Sequence, residues 1–431
     1  MRYRSPQAQL VVVMAFVVVL LCVPNVATPS AVARLVATQA AVREYRASWR
    51  SQLVTGVSGL LGIAAINAGG PRLVMLLGSA CGTAYSASII ASHYHRAGGG
   101  GAGWYVASAV VEDFGHTVLT VGLVTVLLTY PREQRKARTL ALFQFLVNLS
   151  LTLGEAVPWP SGKAAAWTRM AACVAALGVA PWMTPVARVI RDSGVYVVAE
   201  GHAPPLSGEL HGLARCLWSW DMALVVPYMF ANPFALGTLG ISFPDRSAVL
   251  LYNGGSLAGV VALGILLDIG SACRRRRGVY GFAVTCMLMI ACTVSMAVFH
   301  TPRGGEGQTR WYGGTLFYFS VAVSGMAVSC VFLFSGWVIG SLTNDAWVTA
   351  RLVGVNMLVV PGMGSLAADA ACRASRMSSL LPLCVGAGVA ALASAAMFVV
   401  VRRISDTNTW ELASVRPPRP ENRRSAPETV H

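Results

Sequence analysis

Gly264-Ile265-Leu266-Leu267-Asp268 ends an apolar run of the chain, and the arginine run Arg274–Arg277 follows closely. A glycine near a helix end lets a neighbouring helix approach, as small residues do in bilayers. The aspartate would then lie at the membrane surface, where it can face another helix N-terminus and the loop arginines. The pattern predicts a polar contact between helices at one end of a membrane bundle. Spacing alone supports a second interpretation equally well, an arginine anchor beside an incidental aspartate.

The composition around this segment is that of a membrane protein. Of 431 residues, 55% are hydrophobic and 12% are charged, whereas a soluble domain carries roughly 25% charge. The apolar residues gather in runs of about 20, the length that crosses a ~30 Å hydrocarbon core. We therefore predict an all-α polytopic membrane protein with twelve transmembrane helices in two six-helix halves. The predicted spans are 8–28, 53–69, 71–93, 103–130, 139–157, 164–187, 216–239, 247–268, 279–299, 313–341, 346–368 and 377–401.

The polar segments divide the chain. The longest polar loop lies between the sixth and seventh spans, which is the layout of a two-half transporter. We predict an N-terminal six-helix half (1–187), a cytoplasmic middle loop (188–215), a C-terminal six-helix half (216–401) and a disordered cytoplasmic tail (402–431). The first run, preceded by Arg2 and Arg4, also fits a signal peptide, but the count of runs favours a retained helix.

The net charge of +15 predicts an orientation. With the N-terminus in the cytoplasm, 21 of the 33 cations fall on the inner side, as the positive-inside rule expects. Four arginines in the first outer loop, at positions 34, 43, 46 and 50, oppose this assignment. Both termini are expected in the cytoplasm. Because the cations lie in loops between apolar runs, no nucleic-acid partner is expected.

Charged residues inside predicted spans are candidate binding or coupling residues. Glu112, Asp113 and His116 are spaced i,i+3 and i,i+4, which places them on one helix face. A charge at mid-membrane costs at least ~2.5–3.5 kcal/mol, so it needs a partner or a function. Two acids beside a histidine are able to exchange a proton. The alternative is a structural ion-pair cluster, to which Glu155 and Arg169 lie at a compatible depth.

Other chemistry finds no support in the sequence. The ten cysteines are scattered without a CxxC pair, so they favour small apolar fillers. His93 and His95 supply only two ligands for a metal. We see no nucleophile–base pair and no cofactor motif, and we expect neither an enzyme nor a metal or cofactor site.

Several ordered motifs carry a family resemblance. Gly264 to Asp268 with the following arginines resembles the cytoplasmic signature of the major facilitator superfamily. Tyr130-Pro131-Arg132-Glu133-Gln134-Arg135-Lys136-Ala137-Arg138 is similar to the Tyr-Pro-x-Glu-x-x-Lys-Gly-Arg loop of its Unc-ninety-three-like branch, particularly the fungal members. Further matches are Asn148, Arg191-Asp192-Ser193-Gly194, Pro227 with Asn232, Tyr252, Trp337 with Gly340, and Arg351 with Gly354.

The resemblance implies the major facilitator fold and a cytoplasmic gate. The residues it assigns to the gate are Gly264, Asp268, Arg274, Arg275, Glu133 and Arg138. It also makes Asn148 and Asn232 binding candidates. The sequence departs from the branch where relatives carry polar residues, with Leu123, Phe332, Met357 and Val360 in their place.

Two functions follow from the resemblance. The first is a transporter that moves a small solute or ion by alternating access, with proton coupling left open. The second is a non-transporting membrane regulator whose partner is an ion-channel subunit. The apolar departures favour the regulator, whereas the gate and the intramembrane acids favour the transporter. Plasma membrane and internal membranes fit equally well.

Overall fold

A computed structural model describes residues 5–23, 49–94, 101–131, 135–156, 162–184, 189, 206–238, 246–268, 273–300, 314–343, 345–364, 367 and 380–404. Regular structure in these ranges is helical throughout. The helices are α1 (Pro6–Val17, continued by a π turn, Val18–Cys22), α2 (Trp49–Tyr94), α3 (Gly101–Thr129), α4 (Lys136–Ala156), α5 (Gly162–Val179), α6 (Leu206–Leu217), α7 (Trp220–Thr238), α8 (Arg246–Leu267), α9 (Arg274–His300), α10 (Thr315–Leu342), α11 (Ala346–Met357, continued by a π turn, Leu358–Gly364) and α12 (Leu380–Arg403). Three predicted features lie outside the described residues: Glu133, the Arg191–Gly194 motif and the tail beyond Ile404.

Helix α2 is a tight hairpin of two helices. Gly70 adopts φ 70° and ψ −171°, a backbone conformation that residues other than glycine strongly disfavour, and Pro71 follows it. Along α3, Ser51 lies against Asp113 and Gly62 against Val121, whereas α2 beyond Gly70 runs the opposite way. We call the two antiparallel segments α2a (49–69) and α2b (71–94). They correspond to two adjacent predicted spans.

The helices form an integral multi-pass membrane protein. In the described ranges, eight helices are long and apolar enough to cross a membrane, with α2 counted once, and three shorter apolar helices accompany them. Large apolar side chains on the outside of the bundle, such as Val11, Ile290 and Leu392, are exposed, as lipid-facing residues are. The prediction of an all-α membrane fold is confirmed; the count of twelve spans remains a prediction.

Part of the predicted middle loop is helical. Residues 206–217 form helix α6, which has Glu209 in its first turn and Arg215 in its last, as the helix dipole favours. At the other end of the sequence, the predicted disordered tail starts too early, because Arg402 and Arg403 belong to α12. Helix α1 packs its Phe16 and Val17 into a core shared with Leu119 of α3.

Helices α8 and α10 cross at very short range through glycines. A Cβ at Gly255 would collide with the carbonyl oxygen of Ala322, and one at Gly325 would collide with that of Tyr252. Ser256 donates a hydrogen bond to the carbonyl oxygen of Gly325 across this crossing (3.0 Å). The neighbouring Gly254 has open space around its Cβ position. Close helix contact therefore depends on Gly255 and not on Gly254.

Gly255→Ala is expected to destabilise the protein by about 1–3 kcal/mol, because the added methyl group forces two packed helix backbones apart. Gly254→Ala is the matched control and should melt like the unsubstituted protein, since nothing lies in its way. Thermal unfolding of both variants in detergent measures the difference. Equal melting temperatures for the two variants would show that the crossing adapts freely.

Candidate functional site

Asp268 caps the first turn of α4 from the end of α8. Its Oδ2 accepts a hydrogen bond from the backbone N–H of Arg138 (2.9 Å) and lies 3.5 Å from Nε of the same residue. The Arg138 guanidinium also donates to the backbone oxygen of Asp268 (3.3 Å). The first backbone N–H groups of a helix need acceptors, and a carboxylate suits the positive end of its dipole. The two helices are thus joined at one end by a charged cap.

Arg277 supports the same aspartate from α9. Its Nη1 lies 4.0 Å from Oδ1 of Asp268 and donates to the backbone oxygen of Leu267 (3.0 Å). Burial raises the pKa of the Asp268 carboxyl above its ordinary value, while the Arg138 N–H and the guanidinium groups of Arg138 and Arg277 act to lower that pKa. The ionised carboxylate therefore depends on these partners, because its side chain is closed to solvent.

The C-terminus of α10 is capped at the same end by two buried cations. Lys136, the first residue of α4, donates from Nζ to the backbone oxygen of Gly340 (2.6 Å). Arg274, the first residue of α9, donates to the backbone oxygen of Ser341 (2.9 Å). Cations at a helix C-terminus satisfy its unpaired carbonyls and its negative dipole end. We name the set Lys136, Arg138, Asp268, Arg274 and Arg277 the clasp.

The clasp differs in detail from the gate that the sequence predicts. Gly264 does allow close packing, since its Cβ position lies against Ala141 of α4. Arg274 turns to α10 instead of Asp268, and Arg275 is exposed. Arg277 lies beside Asp268, in the position that the prediction gave to Arg274 and Arg275. Arg274 and Arg277 share one face of α9 at spacing i,i+3, which was available in the sequence as a signal.

A second ion pair joins the middle-loop helix α6 to α11. Nε of Arg351 lies 3.0 Å from Oε2 of Glu209, with both side chains largely buried. Gly212, one turn after Glu209, leaves room for the guanidinium. Asp345 caps α11 by accepting from Trp347 N (2.7 Å). The sequence did not predict this pair, because its two residues are 142 positions apart and no spacing pattern links them.

Toward the opposite end of the bundle, Glu112 of α3 forms an ion pair with Arg169 of α5. Only 13% of the Glu112 side chain and 18% of the Arg169 side chain are exposed. The Arg169 guanidinium also lies 4.9 Å from the ring centroid of the buried Tyr85 on α2b, a cation–π contact. Glu112, a buried charge that needs a partner in the membrane, is therefore paired with a cation of another helix.

The neighbouring residues of α3 do not form one functional cluster with Glu112. Asp113 accepts a hydrogen bond from Ser51 of α2a (2.8 Å), and His116 is exposed. The prediction of a single inward face is wrong, because Glu112 bonds to α5, Asp113 bonds to α2a and His116 is exposed. Glu155 joins α4 to α8 through its backbone oxygen, which accepts from Arg246, and not through its carboxylate.

The remaining candidates lie apart from both ion-pair regions. Asn148 is half-buried on α4, where its backbone oxygen accepts from Thr152. Asn232 belongs to α7, and its side chain is outside the described part of the structure. Asn67 of α2a is buried with no hydrogen-bond partner for its amide among the described residues. No group of three metal-ligating side chains occurs in the described ranges.

The apolar departures do not share a central position. Leu123 is buried in the core that holds α1, and Phe332 is on the outside of α10. Met357 and Val360 do lie in the main core, where Met357 packs on Gly59 of α2a. Met357 and Val360 are therefore the departures that lie in the core shared by helices of both halves.

Comparison with known proteins places this geometry in a class. No family model matches the chain. A solved structure of the E. coli fucose:proton symporter FucP, as a variant, aligns with TM-score 0.61 at 13% identity, covering 93% of this chain and 100% of that one. FucP in the outward conformation, described as a major facilitator superfamily transporter, aligns with TM-score 0.56 at 11% identity over the same shares. The chain has the major facilitator fold.

Curated relatives narrow the comparison. UNC93-like protein 1 and UNC93-like protein 2 of Arabidopsis thaliana are each 26% identical to this chain over 252 residues, 54% of this chain and 53% of theirs. The chain thus spans about half the length of the curated relatives it matches. The resemblance to UNC93-like proteins, predicted from the motifs, is confirmed.

Proposed function

We propose that the protein is a secondary transporter that moves a small solute across the membrane by alternating access. The observation that carries the proposal is the clasp. In it, Asp268 at the end of α8 caps the N-terminus of α4, and Lys136 of α4 caps the C-terminus of α10. The contact ties the segment before the middle loop to the segment after it at one end of the bundle. Two halves that rock about a central site need such a contact, made in one state and broken in the other.

The chemistry of the clasp suits a reversible gate. When the end opens, water replaces each protein partner, so a hydrogen bond contributes only about 0.5–1.5 kcal/mol net. Three to five such contacts amount to a few kcal/mol, the range within which two conformations coexist measurably. The Glu209–Arg351 pair adds a further contact between the middle-loop helix and α11.

Proton coupling is the finer part of the proposal. The name fucose:proton symporter applies to the structural neighbour and supports coupling only by analogy. Because Glu112 is paired with Arg169, we assign it a structural role. Asp113, hydrogen-bonded to the hydroxyl of Ser51, is the acid that we propose for proton uptake and release.

A non-transporting membrane regulator of an ion channel is the second candidate. It is supported by the apolar side chains of Met357 and Val360 on α11 and by the UNC93-like relatives. This reading needs no open pathway between the halves. It predicts that the clasp stays closed under all conditions.

Flux into proteoliposomes distinguishes the two candidates. Purified protein is reconstituted with an internal pH-sensitive dye, and a panel of sugars, amino acids and small ions is supplied outside. A transporter is expected to take up one class of solute, with Asp113→Asn removing the proton signal and exposed Asp221→Asn serving as the control. Absence of flux for the whole panel would favour the regulator.

The orientation has its own test through a native cysteine. Cys273 is exposed and directly precedes Arg274 of the clasp. In sealed vesicles of known orientation, an impermeant maleimide is expected to label Cys273 from the cytoplasmic side and a Trp49→Cys variant from the other. The Cys273→Ser variant shows which part of the labelling comes from Cys273. Labelling of both positions from one side would contradict the predicted topology.

A further inference from the structure

An open groove runs between α1 and α4 on the outside of the bundle. It has a volume of about 660 Å³, within the size range of small-molecule sites. Its walls are apolar along most of their length, with Leu10, Met14 and Val18 on α1 and Leu142 on α4. Two arginines, Arg135 and Arg138, line it where α4 begins. The groove is thus apolar over most of its length and cationic at one end.

The groove has a closed end and an open end. The helices meet where the Cys22 thiol donates to the backbone oxygen of Leu146 (3.5 Å), in the π turn that follows α1. From Leu146 back to Arg135 is eleven residues, about 16 Å of helix at 1.5 Å per residue. This is about half of the ~30 Å hydrocarbon core. The groove itself is lined from Leu10 to Val19 on the α1 side, nine residues or about 14 Å of helix, so its length is comparable with the thickness of one leaflet.

The charges at the open end are accessible. Arg135 is exposed, and 64% of the Arg138 side chain is exposed although it also contacts Asp268. A guanidinium has five N–H donors, so Arg138 retains donors for a second acceptor. Arginine forms strong paired hydrogen bonds with phosphate oxygens. The apolar walls and the paired cations match an acyl chain and an anionic headgroup.

We propose that this groove binds an anionic phospholipid from the leaflet at the clasp end, with its net negative headgroup on Arg135 and Arg138 and an acyl chain between α1 and α4. Because Arg138 also holds Asp268, the bound lipid contacts the clasp directly. The lipid composition of that leaflet would then influence whether the clasp is closed. The site is independent of which solute the protein transports.

Native mass spectrometry of the full chain, titrated with phosphatidylserine or phosphatidylcholine in detergent, tests the proposal. Phosphatidylserine is expected to bind at least tenfold more tightly than phosphatidylcholine. Arg135→Gln, which leaves the clasp side chains in place, should weaken phosphatidylserine about fivefold, the factor for one juxtamembrane cation. Arg276→Gln, an exposed arginine outside the groove, is the matched control and should bind like the unsubstituted chain.

A second variant tests the groove itself. Ala15 lines the groove, and Ala15→Phe should fill it and weaken phosphatidylserine binding, whereas Ala91→Phe on the outside of α2b should not. Melting temperatures without added lipid verify that each variant is folded. Equal binding of the two lipids, or equal binding by Arg135→Gln and Arg276→Gln, would overturn the proposal. So would full competition by inorganic phosphate, which would show an anion site without an acyl chain.

Discussion

Arg169→Ala is expected to lower the free energy of unfolding by about 3–5 kcal/mol, because removing one partner of a buried ion pair strands the other charge. The stranded group is the Glu112 carboxylate, and the cation–π contact between Arg169 and Tyr85 would be lost as well. Denaturant unfolding in detergent measures the loss. Exposed Arg72→Ala is the matched control and should change stability little.

The double variant Glu112→Gln with Arg169→Gln separates charge from packing. Two neutral amides are able to hydrogen-bond across the same gap, so the double variant should recover most of the stability lost by Arg169→Ala. If Arg169→Ala melts like Arg72→Ala, the pair has no structural role. Proton coupling through Glu112 would then replace it as the explanation of that acid.

Asp268→Ala is expected to shift the clasp toward its open form about thirtyfold. Loss of the α4 cap costs about 1 kcal/mol, and loss of the charged contacts with Arg138 and Arg277 costs about as much again. Together these make ~2 kcal/mol, and 1.4 kcal/mol is a factor of ten. The ion pair between Arg138 and Asp268 contributes little free energy, because the Arg138 side chain is exposed and water screens its charge.

Cysteine labelling measures this opening. Ser341 is buried at the capped end of α10, so Ser341→Cys, in a background with the native cysteines replaced, reacts with maleimide only when the clasp opens. The labelling rate should rise about thirtyfold on addition of Asp268→Ala and by a smaller factor on addition of Arg277→Ala. Arg276→Ala, with its exposed side chain, should leave the rate unchanged. Equal rates for Arg277→Ala and Arg276→Ala would remove Arg277 from the clasp.

Local physical chemistry explains what sequence analysis recovered. Apolar run length sets where helices cross a bilayer, and the turn at Gly70 falls between the predicted spans 53–69 and 71–93. The contact of Asp268 with a helix N-terminus was predictable because an acid at a helix end needs a donor. Pairing of Arg169 with an acid followed from the cost of an isolated charge in the membrane.

Other features depend on helix phase and tertiary packing, which one sequence does not reveal. Which arginines of the 274–277 run face inward depends on α9 beginning at Arg274, and the two inward arginines have different targets. Glu112 and Asp113 are adjacent in sequence, but they bond to different helices, α5 and α2a. The Glu209–Arg351 pair requires a helix in a segment with no membrane-length apolar run.

The transporter account is tested most directly by two distances measured together in lipid nanodiscs by pulsed electron paramagnetic resonance. In a background with native cysteines replaced, one spin-label pair sits on exposed Arg72 and Arg276 near the clasp, and the other on exposed Trp49 and Thr315 at the opposite end. Alternating access predicts two populations for each pair, with the clasp-end distance lengthening and the opposite distance shortening when Asp268→Ala is introduced. A single unchanged distance for both pairs, with and without Asp268→Ala, would contradict alternating access.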